Sequence, residues 1–219
     1  MKEHLPRKAK PAAEKAASGP QPRKGILILI SGPSGTGKGT LCERLVAGDD
    51  LIRFSVSATT RTRREYEAEG VHYNFISEAQ FDDLLAQDLL LEHATVHEHR
   101  YGTPRYAVEE GLRQGYDMLL DVDSQGALSV MKKMKDCVSV FILPPSFSTL
   151  QLRLRTRNTD DDVEIARRLR NARDEIKRYV HYDYALINDD LNSALARLRA
   201  IVTAERMRTS RFHPFIPEN

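Results

Sequence analysis

Three features of the 219-residue sequence predict an α/β fold with a parallel sheet covered on both faces by helices. Short apolar runs alternate with longer stretches of helical period, the signature of strand–helix units. The first run, Ile26-Leu27-Ile28-Leu29-Ile30, shows no polar alternation, as expected of a central strand buried on both faces. A glycine-rich loop follows it directly and leads into a helical segment, so strand, loop and helix form one unit.

Taken in order, strands are predicted at Ile26 to Ser31, Met118 to Val122, Val138 to Leu143 and Tyr184 to Ile187. Helices are predicted after Gly37, from Ser124 to Lys133, from Phe147 to about Thr156, from Asp162 to Tyr179 and from Leu191 to Met207. Between Phe54 and about Gly115 the segments become shorter and more polar, which suggests a lobe inserted into the α/β core. Residues 1–24 hold four prolines and no β-branched or aromatic side chain. They bury too little apolar area to offset the entropy of ordering, so a disordered tail is expected.

Composition sets further bounds. Hydrophobic residues make up 41% and charged residues 29%, which excludes collagen-like and wholly disordered chains. The longest strongly apolar run, the five residues from Ile26 to Ile30, is far short of the ~20 a membrane-spanning helix needs. No apolar stretch follows the basic start of the chain, so no secretory signal is expected and the protein is assigned to the cytoplasm. Seven of the first 24 residues are Lys or Arg against two acidic ones. Because the whole chain sums to +2, residues beyond 24 carry −3, the reverse of a nucleic-acid-binding core. Cys42 and Cys137 lie 95 positions apart without metal-ligand spacing and are expected to be small hydrophobes. His93, His97 and His99 fit strand surface better than a metal cluster.

The loop itself is Gly32-Pro33-Ser34-Gly35-Thr36-Gly37-Lys38-Gly39-Thr40. Its spacing Gly-x4-Gly-Lys lets successive backbone N–H groups converge on a phosphate at a helix N-terminus, with Lys38 reaching the terminal phosphates. The residue after the lysine is Gly39 rather than Ser or Thr, and Thr40 follows one place later. Mg²⁺ is therefore expected to be held through water and nucleotide oxygens more than by this loop. Asp121, at the carboxyl end of the second predicted strand, is placed to orient Mg²⁺ through water.

Beyond the loop, separated blocks occur in order: Ser55-Val56-Ser57-Ala58-Thr59-Thr60-Arg61, Tyr73-Asn74-Phe75, Leu91-Glu92-His93-Ala94, Tyr101-Gly102-Thr103, Leu120-Asp121-Val122-Asp123-Ser124-Gln125-Gly126, Ile142-Leu143-Pro144-Pro145-Ser146 and Ile187-Asn188-Asp189-Asp190. With the loop, they make the sequence resemble the guanylate kinases, from about Gly25 to Arg211. Arg63 and Tyr66 depart from the Pro and Gly usual at those positions in that family. The resemblance implies ATP-dependent phosphorylation of GMP to GDP on a P-loop kinase core, with an inserted GMP-binding lobe and an arginine-bearing lid. It implies division into a tail (1–24), core (25–54, 116–143, 171–211), lobe (55–115), lid (144–170) and C-terminal tail (212–219).

Each implied role has a chemical rationale. Arg61 and Arg64 match the guanidinium forks that grip the dianionic 5′-phosphate of GMP, and Tyr73 and Tyr101 match its phenolic donors. Glu92 matches the carboxylate that reads guanine: N1–H and N2–H₂ are adjacent donors, whereas adenine would leave that carboxylate unsatisfied. Ser57 and Thr103 resemble its companion hydroxyls, and Asp123 a second acidic contact to the base. Arg153, Arg157 and Arg168 match lid arginines that stabilise charge on the transferring group. Asn188 is a candidate adenine contact. The substrates implied are GMP, with dGMP beside it, and ATP with Mg²⁺. No specific nucleic acid or membrane partner is implied, and a homo-oligomer is left open. Two rivals use the same fold: a non-catalytic peptide-binding module and a ribose 1,5-bisphosphate phosphokinase. The intact loop argues against the first, Glu92 and Ser57 against the second.

Overall fold

The computed structural model describes residues 23–96, 98–156 and 162–212. A five-stranded parallel sheet runs in the order β2 (Ile52–Phe54), β7 (Asp117–Asp121), β1 (Leu27–Ser31), β8 (Val138–Leu143), β9 (Tyr184–Ile187). A second sheet of four short strands runs β4 (Asn74–Phe75), β3 (Ala58–Thr59), β6 (His99–Pro104), β5 (Leu90–Val96). The helices are α1 (Lys38–Ala47), α2 (Glu78–Ala86), α3 (Arg105–Arg113), α4 (Ser124–Lys133), α5 (Phe147–Thr156), α6 (Asp162–Ile176) and α7 (Leu191–Arg206).

All four expected core strands form within one residue of their expected starts and ends. β2 was not expected, because only one of its three residues, Ile52, is buried and an edge strand this short leaves little pattern. The helix expected to reach Tyr179 ends at Ile176 and continues as a 3₁₀ turn, Lys177–His181. Such tightening is common at helix ends, and exposed Tyr179 and Val180 bring no burial to hold an α-helical turn.

β1 lies at the centre, and its two faces feed different cores because strand side chains alternate. Ile26, Ile28 and Ile30 pack with Leu41, Cys42 and Leu45 of α1 and with Leu195, Leu198 and Val202 of α7. Leu27 and Leu29 pack with Val108 and Leu112 of α3 and Val130 of α4. Leu91 of β5 joins that second cluster, so the smaller sheet is rooted in the same core that carries the loop.

Under the sheet, fully buried Asp117 accepts the Ile26 N–H at 2.8 Å and Arg206 Nε–H at 2.7 Å, and pairs with Arg23. Arg206 also reaches Asp49 Oδ2 at 2.7 Å. Removing one partner of such a network strands the others without water. Asp117→Ala is therefore expected to lower the free energy of unfolding by about 3 kcal/mol, read as a lower urea midpoint at unchanged slope. A midpoint equal to the wild type would contradict this account of the network.

Candidate active site

The turn from β1 into α1 needs a left-handed residue at the helix N-cap, and Gly37 occupies it with φ 84°. A methyl group there would come 2.5 Å from Asn188 Nδ2, so the position is closed to larger residues on both counts. Behind the loop, Asn188 Nδ2–H donates to the Thr36 carbonyl at 2.7 Å. Arg153 Nη1–H donates to the same carbonyl at 3.3 Å, and its Nη2–H to the Asn188 carbonyl at 3.1 Å. Thr36 Oγ1–H closes the inner turn on the Pro33 carbonyl at 2.8 Å. These bonds fix the Thr36 carbonyl on Asn188 and Arg153 at the N-terminal, positive end of α1.

Gly32, Pro33, Ser34, Gly35, Thr36, Gly37, Lys38 and Gly39 line a cleft of about 460 Å³ together with Asp123 and Glu175. Lys38 is paired with Asp121 at the end of β7 and lies 3.5 Å from the Val122 carbonyl. Thr40 is exposed on the first turn of α1. Burial pushes the Glu175 carboxyl above its ordinary range, a rise that the nearby Lys38 opposes.

A second cleft of about 390 Å³, lined by Asp123, Ser124, Gln125, Asn171, Asp174, Glu175 and Arg178, shares Asp123 and Glu175 with the first. Asp123 caps α4, its Oδ1 accepting the Gly126 N–H at 2.7 Å. Glu92 approaches from β5. Its Oε1 accepts the Thr103 hydroxyl at 2.6 Å, while a methyl group on Gly126 would lie 3.2 Å from Glu92 Oε2 and 3.3 Å from Asp123 Oδ1. Glu92 and Asp123 thus meet over a residue too small to separate them. Burial and the Asp123 charge push the Glu92 carboxyl up, and the Thr103 hydroxyl partly opposes them. Ser57 directly precedes β3 and is half-buried.

Arg61 is held on four sides. It forms a two-pronged pair with Glu67 (2.7 and 3.1 Å), donates to Tyr101 Oη at 3.2 Å and to the Thr62 carbonyl at 2.9 Å, and faces the Tyr73 ring at 5.5 Å. Tyr73 and Tyr101 pack edge to face with ring centres 5.8 Å apart. Paired with Arg61 and bonded by the Arg64 N–H, the Glu67 carboxyl is held down to about 2. Arg64 itself is exposed and donates to Tyr66 Oη at 2.7 Å, while Arg63 donates to the Glu67 carbonyl at 2.9 Å. Arg63 and Tyr66, the residues that depart from the usual Pro and Gly, therefore staple the turn by side-chain bonds.

The structure brings Glu92, Thr103 and Asp123 together, and Arg61, Tyr73 and Tyr101 together. Of the lid arginines, Arg153 is engaged on the back of the loop, and Arg168 pairs with Glu164 at 3.2 Å on α6. Arg157 lies outside the described residues, as does His97. Among the described residues no group of three or more His, Cys, Asp or Glu is arranged to hold a metal ion. Sequence reasoning missed Glu67, Glu175 and Arg178. The first carried a usable signal, a carboxylate closing a turn that contains three arginines; the other two carried none. Cys42 is buried and Cys137 half-buried; desolvation raises both thiols, the second to about 11, which keeps them out of nucleophilic chemistry.

Comparison with known proteins gives this geometry its family. The guanylate kinase family profile matches residues 24–205. A guanylate kinase of Rhizobium meliloti is 50% identical over 190 residues, covering 86% of this chain and 87% of that protein. One of Symbiobacterium thermophilum is 47% identical over 192 residues, covering 88% and 91%. The crystal structure of guanylate kinase from Anaplasma phagocytophilum superposes with a TM-score of 0.65 at 34% identity, covering 86% of this chain and 90% of that one. The chain belongs to the guanylate kinase family.

Proposed function

We propose that this protein transfers the γ-phosphoryl group of ATP to GMP, giving ADP and GDP. The reading is carried by two clefts that share Asp123 and Glu175, one built by the phosphate loop and the other bordered by Asp123, which stands across Gly126 from the half-buried carboxylate of Glu92. A donor nucleotide on one side and an acceptor on the other then meet over that shared edge.

Each group has a task that its surroundings support. The loop N–H groups and Lys38 cradle the β- and γ-phosphates, Lys38 leaving Asp121 as the more highly charged phosphates arrive. Glu92 Oε1 is occupied by Thr103, and its Oε2 accepts from guanine N1–H and N2–H₂, with Asp123 beside it. Adenine offers no matching donors and would strand a buried carboxylate. Because Arg61 Nε–H already donates to Tyr101 Oη, the phenol proton is turned away and is free to bond the GMP phosphate. Exposed Arg64 supplies the open fork. Ser57 and Tyr73 complete the acceptor site. The buried Asn188 Oδ1 has no hydrogen-bond partner among the described residues, which suits an acceptor for the adenine amino group.

The attacking atom is an oxygen of the GMP phosphate, already ionised near neutral pH, so no general base is required. Catalysis consists of in-line positioning and charge neutralisation by Lys38 with Arg153, Arg157 and Arg168 of a lid spanning 144–170. The hard oxygen donor Asp121, at the mouth of the loop cleft, fits Mg²⁺ held through water, and Mg²⁺ there supplies further neutralisation of phosphate charge. The lobe (55–115) presents GMP to the core, and dGMP, with the same base and phosphate, is a second acceptor. No helix of the described residues is long and apolar enough to cross a membrane.

The test is ADP formation with Mg²⁺-ATP against GMP, AMP, UMP, CMP and ribose 1,5-bisphosphate. Turnover on GMP far above the others is expected; none with GMP from folded protein would overturn the reading. Lys38→Ala is expected to lower kcat at least about 10³-fold with the thermal midpoint kept, and wild-type-like turnover would refute its role. Glu92→Gln is expected to raise KM for GMP by about 10- to 100-fold and narrow the preference for GMP over AMP. An unchanged preference would remove Glu92 as the base reader.

A further inference from the structure

α6 carries Arg168 near its middle and continues without a break into the 3₁₀ turn Lys177–His181. From that turn Arg178 Nη1–H donates to Ser124 Oγ at 2.9 Å. Ser124 is buried, is the first residue of α4, and follows Asp123, the cap that stands beside Glu92. One turn before Arg178, Glu175 faces Lys38 on one side and Asp123, Ser124 and Arg178 on the other. A single rod therefore has one end bolted to the base-facing turn, while its arginine lies ten residues away, about 15 Å along the axis.

We propose that Arg178 is a positioning residue, which through Ser124 ties the setting of α6 and its Arg168 to occupation of the acceptor site by a guanine base. The inference rests on the GMP kinase reading and deepens it. Guanine drawn between Glu92 and Asp123 fixes the α4 turn, the turn fixes Arg178, and α6 is held in the setting that favours a triphosphate in the loop. The coupling is reciprocal, as any linkage between two binding sites must be. It directs phosphoryl transfer to GMP and away from water, because the donor site is completed only when the acceptor is present.

The experiment is calorimetric titration of GMP with and without the β,γ-imido analogue of ATP. It uses the full chain as wild type, Arg178→Ala, Ser124→Ala and the double variant, each checked by its urea midpoint. In the wild type the analogue is expected to tighten GMP about fivefold or more; in each single variant that factor falls to about one, whatever the affinity for GMP alone. The double variant is expected to match the singles, since both changes cut the same link. Variants that keep the wild-type factor, or a wild type without coupling, would each overturn the proposal. Wild-type GMP-dependent ADP formation, measured on the same samples, separates the two failures. Its absence rejects the kinase reading, whereas turnover with uncoupled binding rejects only the role of Arg178.

Discussion

A carbonyl that is held from behind sets the rest of this structure. The Thr36 carbonyl accepts from Asn188 and from Arg153, two residues brought from β9's end and from α5. A phosphate loop has to offer N–H groups to its ligand, and a peptide that presents its N–H forward sends its C=O back. A carbonyl pointing back into a packed interior is costly unless something donates to it. The fold answers with one amide and one guanidinium. Arg153, expected from the sequence as a charge-stabilising arginine, is thus also a brace in the ligand-free chain. Its bond to Thr36 links the α5 arm to the loop where the triphosphate binds.

The same economy of charge appears on the acceptor side. Arg61 is already neutralised by Glu67, faces the Tyr73 ring and donates to Tyr101 Oη, so in the proposed site it would contribute orientation. Arg64, exposed and bonded to Tyr66, brings a guanidinium not already neutralised by a carboxylate. In the proposed site one arginine is ordered before binding and the other would complete the grip, which limits the entropy lost when GMP arrives. Glu92, with its carboxyl raised by burial, makes the complementary choice for the base. Its charge is disfavoured by that burial and, in the proposed reading, is relieved by a base with two adjacent donors.

Much of this was legible in the sequence where the chemistry is contiguous. The loop from Gly32 to Thr40, its buried strand and the helix after it announce themselves in a dozen residues, because period and glycine spacing are local properties. Four core strands and the helices after Gly37, at 124–133 and at 147–156 followed from the same local rules. Glu92 and Thr103 became a pair only through family blocks, since nothing in either residue says that β5 and β6 lie side by side. What stayed hidden are contacts that depend on the sheet order. Asn188 reaches Thr36 across 152 positions and Arg178 reaches Ser124 across 54. Neither spacing carries a pattern, and each residue type is ordinary at its place. β2 was missed for a different reason: a three-residue edge with one buried side chain has too little period to detect.

At the centre of this account, two anionic nucleotides meet over one shared edge, so that the phosphoryl group passes between them without reaching water. Single-turnover chemistry with ATP labelled in its γ-phosphate tests this most directly, the protein being in excess over ATP and GMP being supplied. The account predicts that the label appears in the β-phosphate of GDP in step with ADP, with little free phosphate. Label released mainly as free phosphate, or ADP formed at the same rate with GMP left out, would contradict it.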